Sequence, residues 1–265
     1  MARRRTEKAY EMHEINLPAD LSCAYLIPIS DLHIGDPVCN LDKFYRYRSW
    51  IEKTPNAYVI LNGDILDAAT KNSIGDVYGA TMQPGEQLNL ACEILEPIKD
   101  RILALISGNH ENRIKRETGI DVSQILAQRL GTWYAGDEAY IKLRLGSQKD
   151  TNKHPLVYTI YCTHGWGSGR TAGAKVNNLQ RLGEICLADI YIASHTHFMT
   201  VHQDIILVPD LRNNQMVELK RTFVSSGAFV GRSSYAVRSG YKFSKQGSPR
   251  IRLEGREKKD VHASI

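Results

Sequence analysis

Apolar runs that end in polar residues alternate along the chain with segments of helical periodicity. The apolar runs predict strands, and apolar positions repeating every three to four residues predict helices. The predicted strands are 21–29, 57–61, 101–106, 140–145, 156–162, 190–193, 205–208 and 217–224. The predicted helices are 41–53, 86–98, 122–130 and 174–187, with Asn40 and Asp121 as N-caps of the first and third. This alternation favours an α/β sandwich in which helices cover a sheet.

The C-terminal segment differs from this pattern in composition and charge. Residues 220–259 carry eleven Lys or Arg and two Asp or Glu, whereas the rest of the chain carries 23 basic and 27 acidic residues. The segment is rich in Ser, Gly and Arg, so we predict an irregular basic cap or tail over 226–265. We expect it to belong to the same domain as a main domain over 1–225. Its charge makes nucleic acid a candidate partner.

Five predicted strands end in residues that bind cations or transfer protons. Their exits read Ser-Asp-Leu-His (30–33), Asn-Gly-Asp (62–64), Ser-Gly-Asn-His-Glu (107–111), Thr-His-Gly (163–165) and Ser-His-Thr-His (194–197). Ligands of α/β sheets bind at the carboxyl ends of strands, so we expect these exits to share one rim. In an extended segment, side chains two residues apart point the same way, so Asp31 with His33, and His195 with His197, can each grip one ion.

The ligand types point to divalent cations. Carboxylate, imidazole and amide oxygen suit Mn, Fe, Zn, Co or Ni, and the absence of thiolates from this set argues against a structural zinc site. Each short motif is common by itself. The prediction rests on the presence of all five motifs at five successive strand ends.

These five exits resemble the signature blocks of the calcineurin-like metallophosphoesterases: D-x-H, G-D, G-N-H-[DE], H and G-H-x-H. The match spans Asp31 to His197. The resemblance implies a sandwich of two mixed β-sheets flanked by helices, and a site for two divalent metal ions. Manganese is the first candidate, and Fe, Zn, Co, Ni or Mg are the others.

The resemblance also implies a role for each motif residue. Asp31, His33 and His197 would hold the first metal, and Asn109, His164 and His195 the second. Asp64 would bridge both ions, for which a carboxylate has two oxygens to share. His110 would be the catalytic histidine that contacts the phosphate and assists the leaving oxygen. Glu111 and Asp67 are candidates for orienting a ligand histidine from behind.

The sequence departs from the family pattern in two places. Ser194 stands where the last block usually has Gly. The segment 63–67 lacks the Arg-Gly that follows in the protein Ser/Thr phosphatases, which argues against a phosphoprotein phosphatase. A basic tail fits the nuclease or cyclic-nucleotide branches of the family better than the protein phosphatase branch. The short chain is similar to phage-encoded members of the family.

The segments near the predicted rim suggest how a substrate is held. Arg113 and Arg170 are candidates for phosphate contacts, because a guanidinium matches phosphate geometry. Trp166 is a candidate for stacking on a base. The tail interleaves Phe223, Phe229, Tyr235, Tyr241 and Phe243 with Arg232, Arg238, Lys242 and Lys245. This composition fits a nucleic-acid groove, and it equally fits a capping loop whose aromatic rings pack on the core.

The sequence therefore predicts a metal-dependent phosphoesterase that cleaves phosphodiester bonds in nucleic acid or nucleotides with a metal-activated water. A phosphomonoesterase or nucleotide phosphatase is the alternative enzyme, and an inactive binding scaffold is the alternative of another class. No protein partner is inferable, and a homodimer is compatible with the sequence.

Composition narrows the cellular setting. No apolar run reaches the roughly 18 residues of a membrane span, and the basic start lacks the apolar core of a secretory signal. The five cysteines are scattered without a C-x-x-C pair, so we expect buried thiols rather than disulfides. These features predict a cytoplasmic protein.

Overall fold

The computed structural model describes residues 10–71, 73, 79–147, 154–232 and 242–265, which form two facing β-sheets with helices outside them. The first sheet contains, in order, β1 (His13–Asn16), β6 (Glu138–Leu145), β7 (Leu156–Thr163), β8 (Ile190–Ala193), β10 (Gln215–Ser225) and β9 (Thr200–Asp210). The second contains β12 (Val261–Ser264), β11 (Arg250–Glu254), β2 (Cys23–Ile29), β3 (Ala57–Asn62), β4 (Ile102–Ile106) and β5 (Tyr134–Gly136). The predicted sandwich of two mixed sheets is confirmed.

Two runs of parallel strands set the position of the site. In the second sheet, β2, β3 and β4 pair in parallel, so their carboxyl ends lie along one edge. In the first sheet, β7 and β8 pair in parallel. The five strand ends that were predicted to share one rim are thus divided between two facing sheets.

In the described ranges, five helices cover the sheets: α1 (Leu41–Lys53), α2 (Pro84–Leu95), α3 (Asn109–Thr118), α4 (Val122–Leu130) and α5 (Ala172–Gln180). Asn40 caps α1 by accepting the Lys43 N–H at 2.9 Å, and Asp121 caps α4 by accepting the Gln124 N–H at 3.0 Å. The helices predicted over 86–98 and 174–187 end earlier and continue as 3-10 turns over Glu96–Arg101 and Arg181–Glu184.

Apolar side chains form three layers. Between the sheets lie residues such as Leu26, Ile60 and Ile160. Alternate residues of the second sheet, including Ile27, face the opposite way and pack beneath α1, α2 and α4, while a smaller cluster lies under α5. Because β2 and β3 are covered on both faces, their sequences are nearly continuous apolar runs.

The C-terminal segment is more ordered than predicted. Residues 250–254 and 261–264 form β11 and β12, and β11 pairs antiparallel with β2. Ile251, Leu253 and Val261 are buried between the sheets. The prediction of an irregular segment is therefore wrong for these residues, because their alternating apolar side chains complete the main core.

The tail aromatics have different positions. Phe223 and Phe229 are fully buried in the core, which excludes them from a nucleic-acid groove. Phe243 is 81% exposed, and the Arg232 guanidinium lies 5.1 Å from its ring centre. Tyr235, Arg238 and Tyr241 lie outside the described residues.

The five cysteines are all free thiols; Cys162 is buried as predicted, whereas the other four are only half-buried. Among the helices of the described ranges, none has the length and apolarity needed to cross a membrane.

Candidate metal centre

Five loops meet at one edge of the sandwich and bring all the predicted ligands together. They follow β2, β3 and β4 of the second sheet and β7 and β8 of the first. The Asn62 side chain at the end of β3 donates to the Thr163 carbonyl at the end of β7 (2.8 Å), which ties the two sheets together at this point. The site therefore lies across the gap between the sheets.

The first group of ligands consists of Asp31, His33 and His197. Their candidate ligand atoms all lie within 4.8 Å of one another. His197 Nε2 is 3.0 Å from Asp31 Oδ1, and His33 Nε2 is 3.3 Å from His197 Nε2. Two ring nitrogens and one carboxylate oxygen thus face a common point, as expected for ligands of one cation.

The second group consists of Asp64, His164 and His195, together with Asn109. His164 Nε2 lies 3.1 Å from Asp64 Oδ2 and 3.1 Å from Asn109 Oδ1. His195 Nδ1 lies 2.8 Å from the same Asn109 oxygen. The His164 ring is held by its other nitrogen, Nδ1, which lies 2.8 Å from the Asn62 carbonyl, so that Nε2 faces the centre.

Each of the two aspartates gives one oxygen to the protein and presents the other to the centre. Asp31 Oδ2 accepts from Ser30 Oγ (2.5 Å) and from the His195 N–H (3.3 Å). Asp31 Oδ1 is buried and accepts no hydrogen bond from the described residues. Asp64 Oδ1 accepts the His110 N–H (2.9 Å), and Oδ2 faces His164. Asp64 Oδ1 thus already accepts one hydrogen bond from the protein, and Oδ2 is the oxygen that faces the ligand histidines.

Five of the ligands have left-handed backbone conformations. The φ angles are 49° for Asp31, 48° for His33, 52° for Asp64, 63° for His195 and 52° for His197. Positive φ is uncommon for non-glycine residues and costs on the order of 1–3 kcal/mol each. The extended backbone expected at these strand exits is therefore wrong: Asp31 and His33 still share one ligand group, but His195 and His197 belong to different groups.

Two glycines allow the loops to approach each other. Gly63 has a φ of +83°, and a Cβ there would lie 2.6 Å from His164 Nδ1. A Cβ on Gly108 would overlap the backbone nitrogen and Oδ1 of Asp64. Only hydrogen fits at either position while the ligands stay in place.

His110 faces the open side of the centre from the first turn of α3. Its Nδ1 lies 2.6 Å from the Asp67 carbonyl oxygen and 3.4 Å from Asp67 Oδ1. Its Nε2 therefore points inward, 3.8 Å from Asp64 Oδ2. His33, Asp64 and His110 form a third group with cation-ligand spacing, so the geometry alone admits His110 as a ligand as well as a proton donor.

Asp67 and Glu111 have separate roles behind the ligands. Asp67 Oδ1 lies 3.8 Å from His33 Nδ1, in line with the predicted support of a histidine. The buried carboxylate of Glu111 instead accepts the backbone N–H groups of Asp64 (3.1 Å), Leu66 (2.9 Å) and Gly108 (3.1 Å). Glu111 thus links the loop after β3 to the loop after β4 by hydrogen bonds, a role that was not predicted from the sequence.

Charge within the centre shifts the pKa values of its groups. Burial alone would raise the pKa of Asp64, but the positive charges of His164 and His110 lower it well below its usual value. Burial opposes protonation of His164, yet the Asp64 charge and contact raise the pKa of His164 to about 10. The pKa of His33 is likewise raised well above its usual value, against burial, by contacts with Asp31 and Asp67. Close contact between carboxylates and imidazoles thus lowers the pKa of Asp64 and raises the pKa values of His164 and His33.

The predicted substrate-binding residues lie around this centre at different distances. The side chain of Arg113 is half-buried on α3, with Nη1 3.4 Å from His110 Nδ1. Arg170 is exposed on the loop before α5, and no contact in the described part of the chain links it to the ligands. Trp166 is 45% exposed, two residues after His164. Lys175 donates at 2.9 Å to the carbonyl of the residue between His195 and His197.

The donor set fits divalent cations. The buried Asp31 Oδ1 has no donor among the described residues, two histidine nitrogens face each other, and ring nitrogens surround Asp64 Oδ2. Two cation-binding groups lie side by side, and every donor is nitrogen or oxygen. The fold and site together define a centre between two β-sheets in which neighbouring His and Asp groups could hold metal ions.

Comparisons with known proteins agree with this class. The model of the calcineurin-like phosphoesterase family matches residues 28–199, which contain every predicted ligand. This chain therefore belongs to the calcineurin-like phosphoesterases, and the family and the ligand groups together identify it as a metal-dependent phosphoesterase. A search of curated proteins finds no match to the chain.

Solved structures with some likeness include a predicted phosphoesterase from Streptococcus pneumoniae TIGR4 (13% identity, 92% of this chain and 90% of that chain, TM-score 0.36). A metallophosphoesterase from Sphaerobacter thermophilus gives 13% identity over 91% and 88% of the two chains, with a TM-score of 0.39. A single mutant of Vps29 from Entamoeba histolytica gives 12% identity over 91% and 99%, with a TM-score of 0.41. At these TM-scores the likenesses add nothing to the family assignment.

Proposed function

We propose that this phosphoesterase cleaves phosphodiester bonds in nucleic acid or nucleotides with two divalent cations, Mn²⁺ being the first candidate. The observation that carries the proposal is the shared position of Asp64. Its Oδ2 lies 3.1 Å from His164 Nε2 in one ligand group and 3.8 Å from His33 Nε2 in the other. One carboxylate oxygen thus lies between two ligand sets, as a binuclear centre requires.

In this proposal, Asp31, His33 and His197 would hold one cation, Asn109, His164 and His195 would hold the other, and Asp64 would be shared between them. When bound, such a pair of cations lowers the pKa of water and neutralises phosphoryl oxygens. The nitrogen and oxygen donors accept several metals, and the burial of Asp31, Asp64 and His164 keeps competing solvent away.

His110 is the candidate proton donor to the leaving oxygen. Its Nδ1–H is directed to the Asp67 carbonyl, which leaves Nε2 facing the centre. Burial raises the pKa of Asp67, but the contacts with His110 and His33 outweigh this and lower it. Asp67 therefore stays ionised beside the His110 ring, whose Nε2 is the atom from which a proton can pass to a departing alkoxide.

The arrangement of positive charge supports a diester substrate. Positions 68 and 69 are both alanine, so the loop after Asp67 supplies no guanidinium there. The half-buried Arg113 next to His110 is the group best placed for one phosphoryl oxygen. At neutral pH a diester carries one negative charge and a monoester carries about two, so a site with only one adjacent guanidinium favours the less charged diester.

The segment after β10 supports an extended substrate. The Phe229 N–H donates to the Asp31 carbonyl (2.9 Å), and the Gly231 N–H donates to the Val38 carbonyl (2.8 Å). This segment therefore leaves the core beside the ligand loop of Asp31. The exposed Arg232 and Phe243 follow from there, together with Lys242 and Lys245. Basic and aromatic side chains beside a cation centre suit a nucleic-acid strand.

Several other basic residues of the C-terminal segment form ion pairs within the protein. Their charge is therefore not available to attract a polyanion. Arg221 binds Asp204 through two hydrogen bonds of 2.8 and 2.6 Å. Lys259 lies 2.7 Å from the buried Asp189, and Lys220 lies 3.1 Å from Asp260. We therefore propose that the exposed side chains of Arg232, Lys242 and Lys245 contact a polyanion.

The test is hydrolysis of end-labelled single- and double-stranded DNA by Mn²⁺-loaded protein, with Asp64→Asn as the inactive control. We expect degradation that the substitution abolishes, and the product lengths distinguish exonuclease from endonuclease. A parallel comparison of bis(p-nitrophenyl) phosphate with p-nitrophenyl phosphate separates diesterase from monoesterase. Intact DNA together with a preference for the monoester would contradict the proposal and favour a phosphomonoesterase.

A further inference from the structure

Gln87 is a fully buried polar side chain on α2, outside the five motifs that supply the candidate ligands. A buried amide is stable when its hydrogen-bonding groups find partners. Oε1 of Gln87 accepts the Ala68 N–H, and Nε2 donates to the Met82 carbonyl, each at 2.9 Å. These partners fix the orientation of the amide, because a backbone N–H can only donate and a carbonyl can only accept.

Gln87 thereby holds the peptide unit that also contacts His110. The Ala68 N–H and the Asp67 carbonyl belong to the same peptide unit, which is planar, so the two groups point in opposite directions. The N–H donates to Gln87 Oε1, and the carbonyl oxygen lies 2.6 Å from His110 Nδ1. One rigid group therefore connects Gln87 on one side with His110 on the other.

The conformation of this turn depends on the acceptor that Gln87 supplies. Ala68 is fully buried and has a φ of 48°, which is uncommon for a residue other than glycine. The preceding peptide is held separately, since the Asp67 N–H donates to the Ile34 carbonyl at 3.0 Å. Without Gln87 Oε1, the buried Ala68 N–H would lose its partner, which is unfavourable. Rotation of the peptide toward another acceptor would then move the Asp67 carbonyl away from His110.

The start of α2 brings the Gln87 side chain to this turn. With Gln83 as the N-cap, Met82 and Gln87 occupy the two positions that in many helices carry a pair of packed apolar side chains. Here the side-chain amide of Gln87 instead bonds to the backbone of Met82. The amide also packs against Gly35, where an added Cβ would lie 2.3 Å from Nε2. The absence of a side chain at Gly35 thus leaves the space that the amide fills.

We propose that Gln87 is a positioning residue for His110, acting through the Asp67–Ala68 peptide, so that His110 Nε2 faces the departing oxygen of the substrate. This inference rests on the proposed function, in which His110 gives a proton to that oxygen. Gln87 is too deeply buried to contact a substrate, so its effect on the reaction passes through His110.

The experiment compares two diesters that differ in their need for a proton. p-Nitrophenolate is a stable anion and leaves bis(p-nitrophenyl) phosphate with little assistance, whereas the alkoxide released from single-stranded DNA requires a proton. Gln87→Met keeps the length of the side chain and removes both hydrogen bonds. We expect it to lower kcat for DNA about 10- to 100-fold, the effect of a misplaced catalytic group, and kcat for bis(p-nitrophenyl) phosphate by less than about twofold.

Two further variants at this position test the hydrogen bond to Ala68. Gln87→Glu is the conservative variant, because a carboxyl oxygen can still accept the Ala68 N–H, and we expect it to restore most of the DNA cleavage. Gln87→Asn keeps a buried amide but is too short to hold both partners. We expect it to show the same selective loss as Gln87→Met, and it replaces Gln87→Met if that variant does not fold.

Asn89→Met is the matched control, because Asn89 lies on the same helix but contacts Arg129 of α4. Thermal unfolding and Mn²⁺ content verify that each variant is folded and binds metal like the wild type. Equal losses for the two substrates, or unchanged DNA cleavage in Gln87→Met, would overturn the proposal, because a general defect affects both substrates alike. A wild type that cleaves neither substrate would contradict the proposed function itself.

Discussion

The backbone N–H of His110 donates a 2.9 Å hydrogen bond to Oδ1 of Asp64, so a single carboxylate both caps helix α3 and faces both ligand groups. The two tasks use different oxygens. This hydrogen bond fixes the position of His110, the candidate proton donor, relative to Asp64, the candidate bridging ligand. A substitution of Asp64 can therefore remove its negative charge and keep its hydrogen bond to His110.

Asp64→Asn is expected to retain the fold and lose the metal-dependent activity. An asparagine oxygen can still accept the His110 N–H, but the negative charge between the two ligand groups is gone. Since changes behind metal ligands already cost about 10–100-fold, we expect activity to fall by more than about 100-fold. Activity assays, metal analysis and circular dichroism check this, and full activity in the variant would rule out a bridging role.

His110→Ala is expected to keep both cations and lose about 10²–10⁴-fold in turnover, the usual contribution of a proton donor. Metal analysis of the purified variant distinguishes this role from that of a ligand, since loss of one ion would assign His110 to the third ligand group. His202→Ala is the control, because His202 lies on β9 and contacts Gln180 rather than the centre.

Gly108→Ala is expected to destabilise the protein by about 1–3 kcal/mol through overpacking and to reduce metal binding. The added methyl group would meet Asp64 and would lie 2.8 Å from Glu111 Oε2. The control is Gly85→Ala in α2, where no atom lies within 4 Å of the added carbon. Denaturant unfolding should show the control unchanged or stabilised by up to about 1 kcal/mol. Equal stability of the two variants would refute the steric role of Gly108.

Cation binding near neutral pH is expected to release protons. The pKa of His164 is raised to about 10 and that of His33 well above its usual value, so both rings are protonated in the metal-free protein near neutral pH. A cation binds only the neutral ring, so filling both sites displaces about two protons, and the affinity of each site falls about tenfold for each unit of decreasing pH. Calorimetry in buffers of different ionisation enthalpy measures this release, and a heat independent of buffer would contradict it.

The meeting of the candidate ligands at one edge was predictable because its sequence signals are local. Each apolar run ends directly at a polar ligand block, so the strand and the residues that follow it are read together, as for Asp31 after β2. What the sequence did not reveal was long-range pairing. Strands β7 and β8 join a different sheet from β2, and this depends on contacts between residues that lie far apart in the chain.

Elements with a weak apolar pattern were missed for a related reason. Helix α3 begins Asn-His-Glu-Asn-Arg and buries only Glu111 and Ile114, so its periodicity is hidden by functional residues. In β11, Ile251 and Leu253 alternate with charged residues inside a Gly- and Ser-rich segment. The hydrogen bonds that Glu111 accepts have no sequence signal apart from the place of Glu111 in the motif, because the donors are backbone N–H groups.

The central claim is that this chain is a phosphoesterase that requires cations at the Asp64-centred site. The most direct test is the rate of bis(p-nitrophenyl) phosphate hydrolysis by protein stripped of metal and then titrated with Mn²⁺. We predict no activity in the stripped protein and full recovery as the second equivalent of Mn²⁺ binds. Activity that is independent of added metal, or protein that binds two equivalents and cleaves no phosphoester, would contradict it.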